Sequence, residues 1–289
     1  LCGPIVALIF LPIRQAAVWF GLYGLNILVT VVFDDYFSAH GLAVDDATQR
    51  IFVLLNFLVS ALVIFGFAGY FVNNAVTERR RAEALLLNTL PKEVIPVLKS
   101  GRNPIADNYE NASILFCDIV GSTPLFSDLP PEEVVDWLNE VYSLCDEVVE
   151  KYGLEKIRTI GDNYMIAAGV PVERPDHARA IASLALEISR RVSQLPTRRG
   201  KGIDFRFGIN SGPVVAGIIG NYKFQFDIWG DVVNVASRME QHGEAGRIHV
   251  SPSTYALIKD DFEFEPRGEI QIKGKENMAT WFLIGEKNR

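Results

Sequence analysis

The fold is decided by the stretch Phe116-Cys117-Asp118-Ile119-Val120-Gly121-Ser122-Thr123, which is matched further along the chain by Gly161-Asp162. The apolar run at residues 113–116 predicts a buried strand that carries Asp118 at its end, and the small residues after it predict a turn into a helix. Residues 157–160 predict a second strand, and Asp162 lies in the turn that follows it.

These two carboxylates are candidates for metal binding. Carboxylates without nearby His or Cys suit hard divalent ions such as Mg²⁺ or Mn²⁺. The backbone N–H groups from Val120 to Thr123, at the predicted start of a helix, suit a phosphate. A lone Asp after a strand is most often only a turn former. The second carboxylate at a similar turn is what favours a metal ion together with a triphosphate.

Apolar sequence is concentrated in the first quarter of the 289-residue chain. Residues 51–72 contain only Asn56 and Ser60 as clearly polar members and are long enough to cross a bilayer, and residues 16–33 are a slightly shorter candidate. Residues 1–11 are apolar but too short to cross. Because they begin without Met and no basic segment precedes them, we interpret them as the end of an earlier span in a fragment or processed product, not as a signal peptide.

Basic residues set the expected orientation of these spans. Arg14 precedes the first complete span and the triplet Arg79, Arg80 and Arg81 follows the last one, whereas the intervening loop is acidic. The positive-inside rule therefore predicts a multi-pass protein of the cell membrane with its C-terminal region in the cytoplasm. The alternative is that the apolar segments are core helices of a soluble protein. The acidic loop residues are Asp34, Asp35, Asp45 and Asp46.

Cysteine spacing and net charge argue against two other classes of protein. Cys2, Cys117 and Cys145 have neither metal-ligand spacing nor the even count of a disulfide framework, which is typical of a reducing cytosol. The net charge of −7 disfavours nucleic-acid binding, and no basic run with interleaved aromatic residues follows the arginine triplet.

Sequence punctuation divides the remainder of the chain into a linker and a domain. Residues 76–90 predict a helix, either a solvated connector or a short dimerising helix that carries a signal. Residues 100–104 predict a loop, and the soluble domain is expected to begin near Asn108. The resulting division is a membrane region at 1–75 (a partial span at 1–13, spans at about 14–33 and 51–73), a cytoplasmic linker at 76–108 and a catalytic domain at 109–289.

Strands and helices alternate through this last region, which predicts a sheet with helices packed on it. Strands at 154–160 and 164–168 are expected to form a hairpin around Gly161-Asp162-Asn163. Further strands are predicted at 113–117, 205–210, 214–220 and 247–250, and helices at 131–151, at 177–195 and from Gly230-Asp231 onward.

The last of these helices carries a second group of polar residues. Asp231 is a good N-cap for it, and Asn234 and Arg238 lie four residues apart, which places them on one helical face. Two further cations, Arg206 and Lys273, would each most often be ordinary surface charge when considered alone. The apolar residues Val232, Val235, Ala236 and Met239 are expected to pack inward.

Five stretches together resemble the catalytic domain of class III nucleotidyl cyclases: 116–123, 155–162, 206–220, 227–240 and 271–283. With its membrane region the chain resembles the mycobacterial-type membrane adenylyl cyclases, each of which is half of the mammalian plan. The resemblance implies an α+β fold, a ferredoxin-like α/β sandwich. It also implies a head-to-tail homodimer with active sites at the interface.

The resemblance implies a role for each matched residue. Asp118 and Asp162 match the two metal-binding aspartates, and the carbonyl of Ile119 matches a third ligand. One subunit is expected to supply the metal ligands and the Arg206 equivalent, and the other subunit the remaining residues. The further roles are base reading by Arg158 and Asp227, ribose orientation by Asn234, stabilisation of charge on the α-phosphoryl group by Arg238, and phosphate binding by Arg206 and Lys273.

Position 158 departs from the family pattern, which has Lys in adenylyl cyclases of this type and Glu in guanylyl cyclases. A cation there can donate to adenine N1, and Asp227 can accept from the adenine N6 amino group. A guanine-reading site would instead place a carboxylate at 158. Although Arg is not equivalent to Lys, this polarity favours ATP over GTP.

The four histidines, His40, His177, His242 and His249, all fall outside the matched motifs, so no side chain is an obvious general base. Two Mg²⁺ or Mn²⁺ ions are therefore expected to activate the ribose 3′-hydroxyl, which yields 3′,5′-cyclic AMP and pyrophosphate. The alternatives are a guanylyl cyclase and a non-catalytic nucleotide-binding sensor, and the signature of diguanylate cyclases is absent. The expected partners are ATP, a second copy of the chain, the lipid bilayer and an unidentified ligand or partner of the membrane region.

Overall fold

The computed structural model divides the chain into two compact units, with the boundary between Ala84 and Leu85. The structure describes residues 13–41, 45–102, 104–127, 129–196, 202–220, 222–272 and 276–287. The short apolar segment at 1–11, interpreted above as part of an earlier span, therefore lies outside the described residues.

In its described residues, the first unit consists of three helices, two of them long and apolar. They are α1 (Ile13–Val32), α2 (Asp34–His40) and most of α3 (Asp46–Leu87). Within the described part of the chain, Arg14–Val32 and Asp46–Leu87 are the two helices that are long and apolar enough to cross a membrane. None of the residues of α3 is buried, and large side chains such as Phe57 and Phe65 are exposed.

The predicted linker helix at 76–90 is not a separate element, because α3 continues through this region without a break and ends at Leu87. No proline interrupts the helix before Pro91, where the missing N–H group and the ring exclude further helix. The predicted connection after it also contains structure, since α4 (Val94–Lys99) forms and Leu90, Val94 and Ile95 are buried in the core of the second unit.

The second unit is an α+β sandwich, as predicted, built on eight strands in the described part of the chain. The order in the sheet is β2-β3-β1-β4-β6-β8-β7, with β5 paired to β4. All pairs are antiparallel except β4 with β6. The strands are β1 (Ile105–Ile119), β2 (Glu155–Ile160), β3 (Asn163–Ala168), β4 (Phe205–Ile218), β5 (Phe226–Trp229), β6 (Ile248–Val250), β7 (Phe262–Ile270) and β8 (Met278–Glu286). The helices are α4, α5 (Ser122–Ser127), α6 (Pro131–Tyr152), α7 (His177–Val192), α8 (Asp231–Gln241) and α9 (Pro252–Ile258).

Alternation along β1 separates the core into two layers. Leu115, Cys117 and Ile119 pack with side chains of α6 and α7 on one face of the sheet. Ile114 and Phe116 belong to a second cluster on the other face, together with side chains of α4 and α8. Because side chains alternate between the faces of a strand, Asp118 lies on the α8 face.

The strands at 205–210 and 214–220 were predicted as two elements but form one strand, β4. The residues between the two predicted strands, Ser211-Gly212-Pro213, are of types common in turns. In the structure β1 has a bulge between Tyr109 and Ala112, and Pro213 lies opposite this irregularity. A proline lacks the N–H group for regular pairing and is accommodated at a bulge, so β4 continues through it.

Candidate active site

Strand pairing places the first predicted metal ligand next to a cation. Asp118, near the end of β1, lies opposite Asn163 of β3 and Arg206 of β4. The Nη2 atom of Arg206 donates to Oδ2 of Asp118 over 2.6 Å. Asp162 directly precedes Asn163 in the β2–β3 turn, where Gly161 has a φ of 65°. The predicted hairpin is confirmed, and it brings Asp162 to the same edge of the sheet as Asp118.

The electrostatics of this edge fit a divalent cation. Burial raises the pKa of the Asp118 carboxyl, and the nearby charge of Asp162 raises it further, whereas the Arg206 hydrogen bond lowers it. The negative charges of Asp118 and Asp162 repel one another, and a cation bound to both would relieve the repulsion. Among the described residues no cluster of three or more His, Cys, Asp and Glu is present, so a hard ion here would also need carbonyl, substrate or water oxygens.

Sequence reasoning missed one residue of this group, Glu240. It belongs to α8, is only 4% exposed, and its Oε1 atom lies 3.1 Å from Nε of Arg206. Burial and the charge of Asp118 raise the pKa of Glu240 to about 7, against the lowering effect of Arg206. Glu240 follows Ala236 by four residues, so a charged residue on the apolar face of a predicted helix was the available signal.

The predicted base-reading residues form a pair of their own. Nη1 of Arg158 donates to Oδ2 of Asp227 over 2.6 Å, and the backbone N–H of Ile228 donates to Oδ1 over 2.8 Å. A register shift between Lys156 and Arg158 interrupts the pairing of β2 with β3 just before this arginine. The pair is partly buried, and Nε of Arg158 has no hydrogen-bond partner within the described chain.

Helix α8 presents the remaining two residues to solvent. Asn234 and Arg238 are exposed on one face, and Arg238 donates to Oε1 of Gln241 over 2.6 Å. The predicted inward face is confirmed, since Val232, Val235, Ala236 and Met239 are all buried. The predicted N-cap at Asp231 is not confirmed, because the helix begins at Asp231 itself and Gly230 occupies the N-cap position.

The predicted phosphate cradle at the turn after β1 is incomplete. The N–H group of Val120 donates to the carbonyl of Asp204 over 2.9 Å, so it is not free for a ligand, and the short helix α5 begins only at Ser122. Ile119 is the last residue of β1 and is buried beside Asp118. Lys273 lies outside the described residues. Among the predicted site residues, the structure therefore pairs Asp118 with Arg206 and Arg158 with Asp227.

Comparisons with known proteins show to which family the chain belongs. Residues 105–285 match the family model of the adenylate and guanylate cyclase catalytic domain. An adenylate cyclase of Mycobacterium tuberculosis is 48% identical over 211 residues, which cover 73% of this chain and 48% of that protein. The guanylate cyclase soluble subunit beta-2 of Rattus norvegicus is 40% identical over 219 residues, which cover 75% of this chain and 32% of that protein.

A solved structure shows the same fold. The guanylate cyclase domain of RhGC from Catenaria anguillulae, in complex with GTP, is 36% identical with a TM-score of 0.61, and covers 63% of this chain and 100% of that domain. The chain spans about half the length, or less, of the two full-length relatives it matches. The family match and the fold agree, and the chain belongs to the class III nucleotidyl cyclases.

Proposed function

We propose that the chain is a membrane-anchored adenylyl cyclase that converts ATP to 3′,5′-cyclic AMP and pyrophosphate. The observation that carries the choice of base is the Arg158–Asp227 pair, whose atoms lie 2.6 Å apart. Arg158 offers only donors and the ionised Asp227 only acceptors, which complements N1 and N6 of adenine. Guanine has a donor at N1 and an acceptor at O6. Its donor would therefore face the donors of Arg158, and its acceptor would face the acceptors of Asp227.

The residues around Asp118 support a role in metal and phosphate binding. Asp118, Asp162 and the carbonyl of Ile119 would hold two Mg²⁺ or Mn²⁺ ions, which supply activation of the ribose 3′-hydroxyl and charge neutralisation on the triphosphate when bound. Arg206, which pairs with Asp118 and Glu240, is the cation that would bind the phosphate groups. Its guanidinium can pair with phosphate oxygens through two N–H groups.

The transition-state residues support a shared site. Asn234 and Arg238 are exposed on α8, so they are accessible to substrate held by a second subunit. We assign to Asn234 the orientation of the ribose and to Arg238 the stabilisation of charge that develops on the α-phosphoryl group. A symmetric homodimer then completes two sites, with Asp118, Asp162 and Arg206 from one subunit and Arg158, Asp227, Asn234 and Arg238 from the other.

The helices of the first unit support membrane anchoring. Both α1 and α3 are long and apolar enough to cross a bilayer, and α3 buries none of its residues. By the positive-inside rule, Arg14 and the triplet Arg79, Arg80 and Arg81 favour a cytoplasmic position for the catalytic domain.

Turnover of ATP and GTP by the full chain in membranes, with Mg²⁺ and with Mn²⁺, tests this function. We expect kcat/KM for ATP to exceed that for GTP by on the order of 100-fold or more, because mismatched polar groups in a base pocket cost that much selectivity. Asp118→Ala and Asp162→Ala should abolish cyclic AMP formation while the dimer persists. Asp260→Ala, which removes an exposed carboxylate on the turn after α9, is the matched control and should retain activity.

Two outcomes would contradict the proposal. Comparable turnover of GTP and ATP by the wild type would show that the polarity of Arg158 and Asp227 does not select the base. Near-normal cyclic AMP formation by Asp118→Ala or Asp162→Ala would remove the support for metal binding at this edge of the sheet.

A further inference from the structure

One face of β4 forms the surface on which α8 lies. Gly208, Asn210 and Gly212 alternate along the strand and therefore share this face. A Cβ atom at Gly208 would lie 2.1 Å from the backbone nitrogen of Glu240, and one at Gly212 would lie 2.9 Å from Cγ2 of Val232. Helix α8 therefore packs directly on the backbone of β4 at Gly208 and at Gly212, and Asn210 lies between these two contacts.

Asn210 makes three side-chain hydrogen bonds in this position. Its side chain is buried, and Nδ2 donates to the carbonyl of Val232 in the first turn of α8 over 3.0 Å. Its Oδ1 atom accepts from the hydroxyl groups of Ser251 and Ser253, each over 2.7 Å. Because the two serines occupy the acceptor side of the amide, its donor side is directed at the helix.

At the first turn of α8 the hydrogen bond to Val232 is a directional contact among apolar ones, whereas near the other end of the helix Glu240 pairs with Arg206 of β4. Packing of apolar side chains against glycine backbone resists separation of helix and strand but is non-directional, so it sets the position of the helix along its axis only weakly. A hydrogen bond has a preferred length and angle and sets that position. Asn234 follows Val232 by two residues and Arg238 by six, so a shift of the first turn moves both side chains.

We propose that Asn210 is a positioning residue for the cyclase reaction, which holds α8 in the register that presents Asn234 and Arg238 to the substrate. This inference rests on the proposed function of those two residues. It assigns to the buried side chain of Asn210 a role in positioning α8 that goes beyond stabilising the fold.

The first test compares kinetic constants of the full chain in membranes. Asn210→Leu preserves the approximate size of the side chain but removes the hydrogen bond to Val232. Since misplacement of a catalytic group by about 1 Å can cost about 100-fold in rate, we expect kcat to fall roughly 10- to 100-fold. KM for ATP should change less than about 3-fold, because the Arg158–Asp227 pair that reads the base and the phosphate-binding residue Arg206 lie outside α8. Ser253→Ala removes one acceptor contact but leaves the Val232 bond, and should stay within about 3-fold of wild type.

The second test separates positioning of α8 from a general folding defect. Co-expression of the Asn210→Leu chain with the Asp118→Ala chain should restore activity, because the mixed dimer contains one site with an intact metal half and an intact α8. Co-expression of Asn210→Leu with Arg238→Ala should give no recovery, since both changes damage the same half. A chain that fails to fold would not complement Asp118→Ala.

Three outcomes would overturn the assignment: unchanged kcat in Asn210→Leu, failure to complement Asp118→Ala, or recovery when paired with Arg238→Ala. The reference pair is Asp118→Ala with Arg238→Ala. If this pair stays inactive although its heterodimers form, the shared site of the proposed function is wrong, and the comparison of kcat with KM alone decides the role of Asn210.

Discussion

Arg158 differs from the lysine that adenylyl cyclases of this type usually have at its position, and its geometry shows what the difference allows. One nitrogen of the guanidinium pairs with Asp227 at 2.6 Å, while the buried Nε has no partner among the described residues. A planar guanidinium carries five donors in a fixed arrangement, whereas an ammonium is a compact charge. Arg158 can therefore remain paired with Asp227 and still donate to a base.

Exchange of this polarity tests the base-reading assignment. The double change Arg158→Glu with Asp227→Cys should lower the ratio of kcat/KM for ATP to that for GTP by at least about 10-fold, because a carboxylate at 158 accepts from guanine N1 and rejects adenine N1. Steady-state kinetics with both nucleotides measure the ratio. Lys156→Glu reverses a charge on the same strand, where Lys156 pairs with Asp146 at 2.7 Å, and should leave the ratio unchanged. An unaltered ratio in the double variant would refute the assignment.

Residues that share a local spacing could be predicted from the sequence, and residues that meet across elements could not. Asn234 and Arg238 lie on one face of α8 because they are four apart, as predicted. The pairing of Arg206 with both Asp118 and Glu240 depends on the register of β1 with β4 and on the packing of α8, and neither leaves a periodic signal in the sequence.

The helices and strands show the same limit of prediction from the sequence. The β2–β3 hairpin and the helices α6 and α8 follow from turn residues and apolar periodicity, and they form close to the predicted bounds. The single strand β4 was not predicted, because a Ser-Gly-Pro sequence indicates a turn unless the neighbouring strand supplies a bulge. That bulge lies in β1, far from Pro213 in the sequence.

The start of β2 carries a carboxylate whose titration couples stability to pH. Glu155 lies beside a cavity of about 650 Å³ that residues of the α3–α4 connection also line. Burial and the charge of Glu93 raise the pKa of Glu155 to about 7 from 4.5. A raised pKa in the folded state means that the protonated form is favoured there. Stability is therefore fully present below about pH 4.5 and decreases as the pH rises through about 7.

Replacement of the Glu155 carboxyl by an amide should remove this loss of stability at high pH. We expect Glu155→Gln to melt at about the wild-type temperature near pH 4.5 and roughly 2–8 °C above it at pH 8. Thermal melts of the full chain across this range, followed through the buried Trp137, measure the difference. Glu150→Gln, an exposed carboxylate that lines the same cavity, should not change the pH profile. A Glu155→Gln curve parallel to the wild-type curve at every pH would disprove this linkage.

The proposed division of the site between two subunits has a consequence for the whole molecule. Arg158 and Asp162 are on one hairpin but are assigned to different active sites of the dimer. Each subunit therefore contributes two separable halves, one with Asp118, Asp162 and Arg206 and one with Arg158, Asp227 and α8. Membrane helices on both subunits would raise the effective concentration of the catalytic domains for this pairing.

Mixing of two inactive chains tests the division directly. Asp118→Ala loses a proposed metal ligand but keeps α8 intact, and Arg238→Ala has the opposite defect, so a mixed dimer would have one intact site and one site with both defects. With random assortment about half of the dimers are mixed, and cyclic AMP formation should recover to roughly a quarter of wild type per total protein. Asp118→Ala with Asp162→Ala is the control pair, which should stay inactive because both changes damage the same half. If the first pair also remains inactive although its heterodimers are isolated, each subunit must build its site alone or the chain does not turn over nucleotide.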